Sequence, residues 1–595
     1  MKQKKNQTDF KYPTQWNLKH LYDSPQDPKI ELDLKMHRQK RKDFAQKYQN
    51  RTDYLTDASK LLKSLIEYEQ LISDLSGAKP LMYFHYLTAV ESNQTKYQAK
   101  LNKITHQFTK AHNQLTFFPI QIGKIDPALQ NKFLDNKKLS KYHFFLSKRF
   151  ELAKYDLPEE QEKLLNLTYQ TSHQMWVKGV EKSLNQLTVN FEGKKLPLST
   201  ASQKISELPT KRRRKLHQLL LSTACKVKDF AESEVNAVIT HKITEDELRG
   251  YKLPFEETVL SFDNDLDTTL LLIETITKNF DLSTRFYQLK AKLLKEKTLT
   301  YADRAAKINN IKHKYSFDQA FPLINETFQE LDPEFSQISN RLIKNGQLDV
   351  YPKKNKVSGA FCSSSINNPT YVLLNHTDDF NSVTTLAHEM GHAIHSELSK
   401  TQPVFYQHYS PSTAETASTF FEQFVFEKLI ENFSKKEKVV ALHNKIQEDV
   451  NTIFRQAAFF NFELELHNEI KKQGYLEVSQ IGAILNKHMQ SYLGSSFKLT
   501  DQDGLFFILW PHLRYFFYTY TYAFGHLISK ALVQQVKNNP KNIKLVKTLL
   551  NSGGKAKPAD LFKNINIDIT QPDFFISGLQ TVEKNLNELE SLINN

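Results

Sequence analysis

At 595 residues, with 12% aromatic and 25% charged side chains, the chain has the length for a large core and the composition of a globular rather than a disordered protein. Its formal charge of +14 is spread along the whole length, and its 16 glycines form no G-x-G-x-x-G or G-K-[ST] loop, which excludes a glycine-rich nucleotide site. Two cysteines, Cys225 and Cys362, make no disulfide framework, no apolar run reaches 18 residues, and no apolar stretch follows Met1–Gln7, so neither a membrane span nor a secretory leader is expected and the expected compartment is the cytoplasm.

Residues 1–30 read as an irregular arm with Trp16 and Leu21-Tyr22 as docking points. Helical periodicity then dominates, with helices expected over 32–48, 55–76, 81–117, 125–134 and 159–187. Residues 187–191 and 195–198 flank Glu192-Gly193 and read as a small hairpin. A domain boundary is placed there, giving a helical domain over 1–198 and a second domain over 199–595. The basic run Lys211-Arg212-Arg213-Arg214-Lys215 opens a helical pattern and reads as a solvated helix face rather than a nucleic-acid patch. Helices continue to about residue 294, broken near Gly250 and Pro254. Three β-prone pieces follow at 348–351, 359–362 and 371–374. They predict a small sheet, either a packing layer or an edge to which an extended peptide can add as a strand.

The next stretch, Leu386-Ala387-His388-Glu389-Met390-Gly391-His392-Ala393-Ile394-His395, contains H-E-x-x-H. Phe380, Val383, Leu386, Ala387, Met390, Ile394 and Leu398 recur at helical steps, and Asp378, Asp379 and Asn381 are natural N-caps. On that helix His388 and His392 share one face, where two imidazoles can hold one divalent metal, most plausibly zinc. Glu389 points beside the metal, in the place of a general base. A catalytic zinc needs a third protein ligand and an open position. His395 shares the His face, but Glu415 is the better candidate. It lies 23 residues past His392 in a second helix, after a loop marked by Pro403 and Pro411. Ser418 and Glu422 share its face and are expected to orient the ligands, with His395 as a further hydrogen-bond partner.

Helices are expected again over 446–471, 478–493 and 506–536. In the last of these, His512, Tyr515, Thr519, Tyr522 and His526 fall on one helical face. A row of Tyr and His suggests a wet cleft, since a core helix would use Phe and Leu. Their hydroxyls and imidazoles are donors suited to an oxyanion beside zinc.

Taken together, Ser358-Gly359-Ala360-Phe361, the His388–His395 helix, Ala414-Glu415-Thr416-Ala417-Ser418 and the stretch from Pro511-His512 to Tyr522 resemble the oligopeptidase F/thimet oligopeptidase family of zinc metallopeptidases, nearest its oligopeptidase F branch. Asn551-Ser552-Gly553-Gly554 and, more loosely, Trp16-Asn17-Leu18 extend the resemblance over nearly the whole chain. It implies a mainly α, zincin-type fold: a helical two-lobed ellipsoid with a deep central channel and a small β-sheet beside the H-E-x-x-H helix. It implies one zinc per chain on His388, His392 and Glu415, Glu389 as general base, and intermediate stabilisation by His512, Tyr515 or Tyr522. The strand at Gly359, Ala360 and Phe361 would line the channel. The implied partners are short unfolded oligopeptides, with no nucleic acid and no membrane, and the expected state is a monomer or small homo-oligomer. The expected activity is a zinc endopeptidase. The alternatives are a catalytically idle peptide-binding protein and a zinc carboxypeptidase. The second would need a positive group to hold a substrate carboxylate, and the sequence singles none out.

Overall fold

The computed structural model describes residues 11–594, and helices dominate it with two small sheets between them. Residues 1–10 of the expected N-terminal arm lie outside the described residues. From residue 11 the arm is irregular and clasps the sheet. Trp16 Nε1 donates to the Val372 carbonyl at 2.8 Å, and Tyr371 Oη donates to the Asn17 carbonyl at 2.9 Å. Leu21 and Tyr22 are buried with Tyr83 and Tyr86 in a satellite apolar core.

Several helices end earlier than their periodicity suggests. Residues 81–117 form two helices and a short turn beyond, not one helix: Leu75–Val90 stops, and Thr95–His112 starts afresh. Between them the Ser92 amide donates to the distant Asn355 carbonyl at 2.8 Å, so a long-range bond replaces the next intrahelical one. The hairpin is present as expected. Strands β1 (Thr188–Phe191) and β2 (Lys194–Pro197) pair antiparallel around Glu192-Gly193, both at positive φ.

The basic run is only in part the solvated face expected of it: Lys211, Arg212 and Lys215 are exposed, and Arg213 and Arg214 turn inward. In α1 (Thr210–Ala224), Arg213 is buried. Its Nε donates to Asp303 Oδ1 at 2.9 Å, and Arg214 Nε donates to Asp303 Oδ2, also at 2.9 Å. One interior carboxylate therefore holds two consecutive guanidiniums, and only partners far along the chain reveal this.

The second sheet is three-stranded. In the order β3 (Leu348–Asp349), β5 (Tyr371–Leu373), β4 (Phe361–Ser363), β3 runs parallel to β5 and β4 antiparallel to it. Among the described residues β4 has no strand on its outer side. Helix α2 (Phe380–Ser399) follows β5. Of its three candidate caps the chain uses Asp379, whose Oδ1 accepts from the Ser382 amide at 2.8 Å. The whole predicted apolar stripe, from Phe380 to Leu398, is buried in the main core.

Helix α3 (Pro411–Ile430) starts after the Pro403 loop, with Ser410 capping and Pro at the first helical position. Helix α4 (Lys435–Asp449), a π-turn (Val450–Phe454), α5 (Arg455–Gln473) and α6 (Tyr520–Asn538) complete the scaffold around the site. Two glycines set its spacing. A Cβ on Gly391 of α2 would lie 2.7 Å from Ser418 Cα and 3.0 Å from the Ala417 carbonyl of α3. A Cβ on Gly525 of α6 would lie 2.8 Å from Glu415 Cβ. Helix α3 is thus gripped from both sides at backbone distance, as only glycine allows.

Candidate active site

The close approach at Gly391 brings three ligand atoms together. One atom each from His388, His392 and Glu415 lies within 4.8 Å of the others. His388 Nε2 is 3.3 Å and His392 Nε2 3.7 Å from Glu415 Oε2. The sequence placed these three on one helix face and on the helix expected beside it.

Each of the three is held from behind. Ser418 Oγ donates to Glu415 Oε2 at 3.0 Å. Glu422 Oε2 lies 3.0 Å from His388 Nδ1, and Lys445 Nζ of α4 donates to Glu422 Oε1 at 2.7 Å. The Ala414 carbonyl accepts from His392. His395 has a different place from the one expected. Its ring is buried and stacks on Tyr409 at 3.5 Å between centroids, Nδ1 has no partner, and it stands outside the ligand cluster. Tyr409 Oη in turn lies 3.0 Å from Ser396 Oγ. Aromatic stacking, rather than a hydrogen bond to a ligand, uses this third histidine.

The donor set fits a divalent cation. Glu422 is an ionised carboxylate that can only accept, because Lys445 and His388 hold its pKa down against burial. His388 Nδ1 therefore carries the proton and Nε2 is left with its lone pair. That lone pair and Glu415 Oε2 are both acceptors, and at 3.3 Å they repel unless a proton or a cation lies between them. Burial lowers the His388 pKa, yet Glu415 and Glu422 outweigh it and hold the ring well above its usual value, which is the proton's side of this competition. Burial lowers His392 to about 4, so it is a neutral ligand. Burial alone would raise Glu415, but His388 and His392 bring it down to about 2, so it is anionic. With a cation in place of the His388 proton, two neutral imidazoles and one carboxylate would make a three-ligand set of the kind that leaves a catalytic metal an open position.

Glu389 stands beside the triad and is buried. Burial raises its pKa to about 7, with His388 opposing and Glu415 adding to the shift. A carboxyl poised near neutrality can take a proton and give it up again. Glu389 lines two adjoining cavities. One, of about 490 Å³, is walled by Ala360 and β4, by Ser396 and Tyr409, and by the triad. The other, of about 470 Å³, runs past Gly359, Asn375 and Asp379. The unpaired edge of β4 thus borders the space in front of Glu389. Cys362 is in that wall, and burial pushes its thiol pKa well up, so it remains protonated and a poor nucleophile.

The Tyr/His stretch departs from its expected form. It is no continuous helix, and His512, Tyr515, Thr519, Tyr522 and His526 share no face. Pro511–Arg514 is a short 3₁₀ turn, Phe516 and Phe517 have φ of 34° and 57°, and α6 begins only at Tyr520. Pro511 already restrains Trp510 from the helical region, which is a legible signal. Two consecutive left-handed phenylalanines give no sequence signal, and tertiary bonds hold them there. Arg514 donates to both oxygens of buried Glu234 at 2.9 and 2.6 Å, and the Phe517 amide donates to buried Glu463 at 3.1 Å.

The turn sorts the side chains. His512 and Tyr522 come together, with rings 6.1 Å apart. Tyr518, which the helical reading passed over, lies between them: its hydroxyl hydrogen-bonds His512 Nδ1, and its ring is 5.8 Å from that of Tyr522. Tyr522 also faces Glu415, whose charge together with burial raises the phenol pKa and keeps it a donor. Tyr515 is 59% exposed and meets the cluster only at its edge, with its ring 6.3 Å from that of Tyr518. His526 is buried against Asp449 at 2.7 Å, with Lys530 on the same oxygen at 2.8 Å, so its role is to tie α6 to α4.

Lys445→Met is expected to cost about 1–3 kcal/mol of stability, because buried Glu422 loses the donor on Oε1 and is left with His388 alone. Thermal unfolding of metal-free protein checks this, and a wild-type melting curve for the variant would show that His388 alone suffices for Glu422.

Residues 213–581 match the profile of peptidase family M3, and residues 121–179 match that of Oligopeptidase F. An oligoendopeptidase F homolog of Borreliella burgdorferi is 27% identical over 89% of this chain and 91% of its own length. The group B oligopeptidase PepB of Streptococcus agalactiae is 24% identical over 91% of each. Among solved structures, one from Chlamydophila abortus superposes with a TM-score of 0.83 at 22% identity, covering 98% of this chain and 99% of that one. The oligoendopeptidase-F of Enterococcus faecium superposes with a TM-score of 0.71 at 19% identity, covering 95% and 97%. These last two likenesses concern the fold. The profile match spans more than half of the sequence and contains every residue of the ligand cluster: the chain belongs to peptidase family M3.

Proposed function

We propose that the chain is a zinc-dependent endopeptidase that hydrolyses internal bonds of short, unfolded oligopeptides. The observation that carries this reading is the convergence of His388, His392 and Glu415 in a cavity wall with Glu389 beside them and a free strand edge alongside. Zinc held by those three residues would supply Lewis-acid polarisation of a peptide carbonyl and acidification of a water molecule. The protein's own residues do the rest. The β4 edge, with Gly359, Ala360 and Phe361, holds the peptide backbone extended in front of Glu389. Glu389 takes a proton from the attacking water and passes it to the leaving amine. The Tyr522, Tyr518 and His512 cluster donates to the oxygen on which negative charge develops. Ser418, Glu422 and Lys445 fix the ligands, while Tyr515 stands at the solvent edge of the donor cluster. We assign the chemistry to the domain over 199–595, the working compartment to the cytoplasm, and the active form to a monomer or small homo-oligomer.

Metal analysis combined with mass spectrometry of a mixed peptide library tests this reading. One zinc per chain and internal cuts in short peptides, with folded proteins spared, are expected. Zinc-loaded protein that binds peptides and cuts none would establish the idle-binder alternative. Tyr522→Phe keeps the ring and removes one donor, so kcat should fall by about 10²–10³ with zinc content and KM little changed. Near-normal kcat would pass the role to Tyr518.

A further inference from the structure

Helix α5 opens with a cation that no carboxylate among the described residues neutralises. The Arg455 guanidinium lies over the Trp510 ring at 3.9 Å. Its Nε is buried with no acceptor, and among the described residues no carboxylate pairs with it. Arg213 rests on Asp303 and Arg514 on Glu234, whereas Arg304, with no carboxylate among the described residues, gives its Nη1 to Asn451 Oδ1 at 2.8 Å. Arg455 is half-buried: stacking on Trp510 holds its guanidinium in place without supplying an anion.

Its position gives it a use. Phe459, one turn further along α5, packs on Trp510 with ring centroids 4.2 Å apart and lies 6.2 Å from His512. Asn451, one turn before Arg455, lines a cavity of about 370 Å³ together with Glu422, Lys445 and Glu448. The face carrying Arg455 thus runs from the cavity behind Glu422 to His512. Arg455 also adds to the burial that lowers the His512 pKa to about 4, so the two groups sense each other.

We propose that Arg455 is the receptor for a carboxylate of the bound peptide, and that this contact selects which peptides, and which bonds in them, are presented to Glu389. A guanidinium held flat on an indole keeps its N–H fork in a fixed plane, the geometry that a carboxylate takes bidentately. The inference rests on the peptidase reading and adds the positive group that the sequence left unidentified. Two sources carry this chemistry, the C-terminus of a short peptide and an Asp or Glu side chain.

The test uses full-length, zinc-loaded protein and matched peptides: a free acid, its C-terminal amide, and amides with one Glu moved along the sequence. Wild type is expected to prefer a carboxylate-bearing peptide by about 10–100-fold in kcat/KM, the loss when one partner of a desolvated charge pair is removed. Preference for the free acid, with cut sites counted from the C-terminus, assigns the terminal carboxylate. Preference for the amide with Glu at one position assigns a side chain. Arg455→Met should bring the ratio to about 1, and Arg455→Lys should restore part of it. Equal rates for all matched peptides in wild type overturn the proposal, without needing any variant to fold. So does a fall in kcat for Arg455→Met that leaves the ratio intact, which would make Arg455 an oxyanion donor. Titration of the same peptides into Glu389→Gln protein separates the two readings. Absence of any cleavage refutes the peptidase, whereas charge-indifferent binding refutes the carboxylate receptor.

Discussion

Replacing Glu389 by Gln is expected to lower kcat by about 10²–10⁴, the usual worth of a positioned general base, while zinc stays bound. The side chain keeps its size and its place between β4 and the triad, so packing is undisturbed. What it loses is the ability to accept a proton. Burial pushes this carboxyl to about 7, so in the wild type it passes between its two forms near neutral pH, and an amide does neither. Because Glu389 is not one of the three clustered ligand atoms, metal content should be unchanged. Turnover and zinc are measured on the same sample. Loss of zinc together with activity would move Glu389 into the ligand set, and undiminished turnover would move the base elsewhere.

The metal helix was legible because its signals are local. The apolar stripe, the N-cap and the i, i+4 histidines all lie within about six turns, and the structure places each as the spacing requires. Glu415 was legible because a short loop can only return the chain alongside the helix it left. What the sequence hid is the distance between those helices. Gly391 sits inside the H-E-x-x-H motif, yet only the structure shows that a Cβ there would lie 2.7 Å from Ser418 Cα. The Tyr/His stretch hid more. Its side chains fit a helical face, but Phe516 and Phe517 turn the chain over. The cause is held by Glu234 and Glu463, some 280 and 54 residues away. Tyr518 reaches His512 only because of that turn, and His526 leaves the site for the same reason. The basic run teaches the same point. Lys-Arg-Arg-Arg-Lys on a helix looks solvated until Asp303, 90 residues further on, is brought beneath it.

Replacing Glu415 by Ala is expected to abolish activity at limiting zinc through loss of the metal. Two imidazoles remain, and the set loses its only anion, so affinity should fall by more than the roughly 10–100-fold that partners behind the ligands are worth. The site offers no ready substitute. Glu422 is turned to His388 Nδ1 and Lys445, and His395 is stacked beneath Tyr409 with the face of its ring engaged. Glu389, on the other side, can reach a metal only by giving up its place beside the β4 strand. The metal-free forms of variant and wild type should unfold at similar temperatures. Removing Glu415 discards a half-buried carboxylate along with its attraction to His388, and the two effects oppose each other. Chelator competition measures the affinity, and thermal unfolding with and without zinc separates metal loss from damage to the fold: wild type should gain stability from zinc and the variant should gain little. A variant that binds zinc with wild-type affinity would remove Glu415 from the ligand set and leave His395, freed from Tyr409, as the residue to substitute next.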